Sequence, residues 1–97
     1  MTETRKQAVC TNQGETDRFR IMRWDFAPGA ETGDHVHEYD YVIVPGLDGN
    51  LNIVAPDGTV TLVPLKAGQS YHRAEGVHHN VINANDYDFW FVEVEIK

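Results

Sequence analysis

Cysteine is almost missing from this chain: Cys10 is the only one in 97 residues. An internal disulfide is therefore excluded, and without a CxxC partner Cys10 reads as a small, semi-buried side chain rather than a nucleophile. That usage fits a reducing, cytoplasmic setting. Long apolar runs are absent too. None approaches the roughly 18 to 20 residues of a membrane span, and the polar start MTETRKQ carries no signal-peptide core, so no membrane partner is expected. Basic residues are scarce: eight Lys and Arg face fifteen Asp and Glu, a formal net charge of −7. Such a surface repels a phosphate backbone, which argues against nucleic-acid binding. Arg18, Arg20 and Arg23 in DRFRIMRW are the local exception. They read as a solvated strand face, with a lip that attracts an anionic small molecule as the alternative.

Helical periodicity is the last absence. No window of eleven or more residues keeps apolar positions at i, i+3, i+4 and i+7 between sensible caps. What is present is strand-like. Short runs cover Arg18–Phe26, His35–Val44, Leu51–Ala55, Thr59–Leu65, Ser70–Arg73, Val77–Asn83 and Asp86–Lys97, separated by Gly, Pro, Asn and Asp. Pro56-Asp57-Gly58 predicts a hairpin, because Pro presets one dihedral, Asp bonds its own backbone and Gly accepts φ > 0. In the last run Trp90, Val92, Val94 and Ile96 share one face, while Glu93, Glu95 and Lys97 share the other. Residues 1–16 read as an N-terminal arm with a marginal strand near Ala8–Thr11, and 17–97 as a single domain. With 41% hydrophobic and 24% charged residues the chain is an ordinary globular one. The expected fold class is all-β: an antiparallel barrel or jelly roll of about eight strands with essentially no helix. Its open edges would be covered by homodimerisation through the arm or the apolar face of the last strand.

The stretch GDHVHEYDYVIVPG places two histidines on one strand face, continued by Tyr39, Tyr41 and Ile43. Glu38 and Asp40 point the other way, so they cannot join the histidines without a bulge. The bland reading is two hydrogen-bonded imidazoles; the sharper one is half of a metal site. A third imidazole must come from His72, His78 or His79, and parity alone leaves the choice between His78 and His79 open. His72 reads as a rim or surface residue.

Two spacings now carry a resemblance. Gly29-x5-His35-x-His37, leading into a strand and a glycine turn, resembles the first signature of the cupin superfamily. Gly68-x5-Ala74-x-Gly76-x2-His79-x3-Asn83 resembles the second, with alanine where proline is usual. The resemblance implies a jelly-roll barrel in which His35, His37 and His79 hold one divalent metal ion, with His78 outward. Iron is the expected metal, with nickel, zinc or manganese as alternatives. The glutamate usual in the first signature is missing, and Tyr41 and Val42 stand at its positions. Three neutral imidazoles would leave the ion's positive charge intact and favour an anionic small-molecule ligand. Tyr41 is the candidate catalytic residue, orienting a bound species or moving a proton, and no other general base is evident on the inward face. Cupins with three histidines and no glutamate resemble iron(II) dioxygenases. A metal-dependent small-molecule enzyme of that type is therefore expected, with a non-catalytic ligand-binding or sensing module as the alternative.

Overall fold

The computed structural model describes residues 4–97 and contains nine strands, antiparallel throughout. They are β1 (Val9–Glu15), β2 (Phe19–Phe26), β3 (His35–Val36), β4 (Asp40–Pro45), β5 (Gly49–Val54), β6 (Val60–Leu65), β7 (Tyr71–Arg73), β8 (His78–Asn83) and β9 (Phe89–Ile96). Two sheets face each other, one ordered β1-β2-β9-β4-β7 and the other β3-β8-β5-β6. This is the expected all-β jelly roll, and no helix occurs among the described residues.

Two elements differ from expectation. The run His35–Val44 is not one strand. It breaks after Val36, and the chain crosses from the four-stranded sheet to the five-stranded one before Asp40. The polar stretch near the N-terminus forms a longer strand than Ala8–Thr11, with β1 pairing along β2 from Val9↔Asp25 to Glu15↔Arg20. Its residues are poor strand formers alone, and the ladder to β2 supplies what propensity does not.

The PDG hairpin forms as predicted. Gly58 sits at φ 89°, its N–H donates to the Ala55 carbonyl at 2.9 Å, and Asp57 Oδ1 accepts from Thr59 N at 2.9 Å. Gly29, Gly68 and Gly76 also take positive φ.

Strand register stacks the inner face of the larger sheet into rows. Arg20, Glu95, Tyr41 and Arg73 form one row, and Met22, Glu93, Ile43 and Tyr71 form the next. Trp24, Phe91 and Pro45 follow, then Phe26 and Phe89. Polarity therefore falls with depth. The apolar rows join Leu51, Leu65 and Val81 from the other sheet in a core that closes one end of the barrel. Asn83 seals this end: buried, its side-chain amide donates to the carbonyls of Phe26, Ala27 and Tyr87 at 2.9–3.2 Å. It thus ties the turn after β2 to β8. No helix among the described residues is long and apolar enough to cross a membrane.

Candidate metal centre

The open end of the barrel holds the histidines. β3 and β8 pair so that His35 lies directly opposite His79, which puts both imidazoles on the inner face and turns His78 outward. There His78 Nε2 meets Asp34 Oδ2 at 2.8 Å on the exposed side. His37 follows in the crossing segment, pinned by backbone bonds to Val77 and Gly76 at 2.9 and 2.8 Å. His37, Tyr41 and Ile43 line the cavity as expected, but strict alternation does not survive the break: Tyr39 does not line it, and Glu38, expected to face away, does, because the chain turns between sheets at these residues. His72 is exposed, as expected for a rim residue.

The three Nε2 atoms converge. His37 Nε2 lies 3.0 Å from that of His35 and 3.1 Å from that of His79. One ligand atom from each ring falls within 4.8 Å of the others. Imidazole nitrogens bound about 2.1 Å from a shared ion at a near-right angle show separations of about 3 Å. His35 Nδ1 is 2.8 Å from the Gly33 carbonyl, which can only accept, so Nδ1 carries the proton and Nε2 presents its lone pair. Nitrogen lone pairs this close repel unless a proton or a cation lies among them. Burial, then the neighbouring His35, lowers the His37 pKa to about 4. The same causes lower His79 to about 3. Both rings are therefore neutral near pH 7, the form that ligates metal. The donor set fits a divalent ion, and His35, His37 and His79 can hold one.

Tyr41 is buried, and its ring stacks on that of His37, with centroids 3.7 Å apart and planes at 12°. Its hydroxyl is buried with no partner among the described residues, and burial pushes its pKa up to about 12, so it is a protonated phenol. It buttresses His37 and lines the same cavity, of about 270 Å³.

That cavity also contains what sequence reasoning missed. Glu93 and Glu95 point inward and are buried, so the inner wall does carry further acids and bases. On β9 they share parity with Phe89 and Phe91, and these aromatics were the signal that this face is the inner one. Trp90, Val92 and Val94 instead lie on the outer face, half-buried, where Arg23 covers the Trp90 ring at 4.0 Å. The three arginines thus separate. Arg18 is solvated, Arg23 pairs with Asp25, and Arg20 enters the cavity to bind Glu95. Burial pushes the Glu93 carboxyl up to about 8, helped by a proton shared with Glu95. Arg73 also lines the cavity and has no carboxylate partner among the described residues. Cys10 is exposed rather than semi-buried, 3.5 Å from the Met22 sulfur. Partial burial, then Glu93 and Glu95, raises its pKa, so the thiol is no activated nucleophile.

Known proteins share this architecture. A curated relative from Pseudomonas aeruginosa, Beta-alanine degradation protein BauB, is 52% identical over 93 residues, spanning 96% of this chain and 97% of that protein. A crystal structure of a cupin domain from Bordetella pertussis is 46% identical, superposes with a TM-score of 0.94 and is covered to 99%, as is this chain. A Klebsiella pneumoniae protein with a double-stranded β-helix domain is 25% identical with a TM-score of 0.76, over 98% of this chain and 81% of its own. The model of the cupin domain matches residues 22–95. The paired signatures, the two-sheet jelly roll and these likenesses agree: the chain belongs to the cupin family.

Proposed function

We propose that this protein holds one divalent metal ion on His35, His37 and His79 and uses it to bind and transform a short carboxylic acid, in dioxygenase-like fashion. The convergence of three imidazoles at the mouth of a small polar-topped cavity is the observation that carries this reading. Iron(II) is the proposed native ion, while nickel or zinc will fill the site in purified protein because such sites bind them more tightly. An ion held there supplies a Lewis acid, a template for ligand oxygen atoms and, as iron, access to dioxygen chemistry. The chain's own residues do the rest. Arg73, in the row nearest the histidines, draws a carboxylate inward and orients it, and its free guanidinium suits a bidentate grip. The Tyr41 hydroxyl hydrogen-bonds the bound ligand, and the apolar rows below exclude water. The name of the Pseudomonas relative points to β-alanine degradation, so three-carbon acids related to β-alanine are the proposed substrate class.

Oxygen uptake by the iron-loaded protein is the test, with β-alanine, 3-hydroxypropionate and 3-oxopropanoate as probes. Uptake with at least one acid, lost on chelation, is expected. Tight, metal-dependent binding without uptake would instead mark a binding module, and metal-independent binding would overturn the role given to the ion.

Tyr41→Phe should leave metal content unchanged and weaken the acid's binding about 2- to 10-fold, the worth of one hydrogen bond. Loss of metal in that variant would make the phenol a direct ligand. Tyr41→Glu should raise metal affinity and weaken capture of the anion, because a new carboxylate offsets part of the ion's charge.

A further inference from the structure

Glu93 and Glu95 lie on the opposite sheet from His35 and His79 and line the same cavity. Two carboxyls stand together with one guanidinium, that of Arg20, which bonds Glu95. Glu93 has no cationic partner among the described residues and sits in a row otherwise made of Met22, Ile43 and Tyr71. A carboxyl does not gain stability from such surroundings. The cavity is thus asymmetric, with imidazoles and the unpaired Arg73 at the mouth and an uncompensated acid one row deeper.

We propose that Glu93, backed by Glu95 and Arg20, receives the protonated amine of a short ω-amino acid whose carboxylate faces the histidines and Arg73. This deepens the metal-dependent reading above and rests on it. Glu93 and the row containing Arg73 are two residues apart along the strand direction. Two residues of strand span about 7 Å, and the two strand spacings from β9 across β4 to β7 add about 10 Å sideways, which puts the two backbone positions about 12 Å apart. Taking away about 3 Å for a hydrogen bond at each end leaves about 6 Å, close to the reach of a three- or four-carbon chain between amine and carboxylate. An α-amino acid, with both charges on one carbon, is too short to meet both Glu93 and Arg73.

The groups facing Glu93 agree with a cationic guest. They are Glu95 beside it, Arg20 from β2, Cys10 from β1, Tyr41 from β4, and Tyr71 and Arg73 from β7, with His37 and His79 above. Only Arg20 and Arg73 among them are permanently positive, and Arg20 is engaged. An arriving ammonium ion favours the ionised form of Glu93, so its proton leaves for solvent.

Calorimetry on the nickel-loaded full chain tests this with β-alanine, α-alanine and propionate, in two buffers of different ionisation enthalpy. β-Alanine should bind at least about tenfold more tightly than either competitor, as a charge-assisted hydrogen bond allows, and release close to one proton. Glu93→Gln should keep its nickel, which reports intact folding, and lose both the preference and the proton release. Equal affinity for β-alanine and propionate in nickel-loaded wild type overturns the proposal, as does a preference that survives in Glu93→Gln. Should wild type take up no nickel, the metal reading fails by itself. The same titration on the metal-free chain then decides Glu93, for which a β-alanine preference is supporting and its absence overturning.

Discussion

Replacing His79 by alanine should lower metal affinity by more than about 100-fold, beyond the 10- to 100-fold typical of losing a group that merely orients a ligand. The remaining pair, His35 and His37, cannot enclose a divalent ion, and the deleted ring contributes the nitrogen 3.1 Å from His37 Nε2. His35→Ala and His37→Ala should behave alike, and His37→Ala should also free the Tyr41 ring from its stacking partner. His72→Ala and His78→Ala are the controls. One side chain is exposed, the other is engaged with Asp34 outside the barrel, and neither faces the cavity. Metal content by elemental analysis, beside a β-type circular dichroism spectrum for each variant, reads the result. Equal losses in all five would place the ion elsewhere.

Glu93→Gln should stabilise the metal-free protein at pH 8 by on the order of 2 kcal/mol, with little effect near pH 4. The Glu93 carboxyl is raised from 4.5 to about 8, chiefly by burial. Below the unfolded value both states keep the proton and the folded chain bears no ionic penalty. As pH rises past that value the unfolded chain releases its proton while the folded chain retains it, so stability falls. Above about 8 both are ionised and the loss levels off. Glutamine cannot ionise and escapes this loss. Urea unfolding at pH 4 and pH 8 measures it, and parallel curves for the two proteins would mean that Glu93 is solvated in the folded state.

The histidines were legible because their chemistry is local: two short spacings and strand parity put His35, His37 and Tyr41 on one face. Parity alone leaves His78 and His79 open; the resemblance to the second cupin signature selects His79, and the pairing of β3 with β8, a contact across more than forty residues, shows the physical reason. The glutamates were misread for a related reason. On β9 both faces carry apolar side chains, so alternation alone does not tell which face meets the cavity. Only the alignment of Glu95 with Arg20 on β2 and Tyr41 on β4 shows why a carboxylate is tolerated there. The break after Val36 was equally hidden, since nothing in its composition differs from a strand that continues. The chain changes sheets there because its backbone is claimed by Val77 and Gly76.

The central claim is that three imidazoles share one ion. Anomalous diffraction from crystals grown with iron(II) under anaerobic conditions, recorded on both sides of the iron edge, tests it most directly. A single peak about 2.1 Å from Nε2 of His35, His37 and His79 is the predicted result. A peak between Glu93 and Glu95, or none in a crystal whose solution holds excess iron, would contradict it.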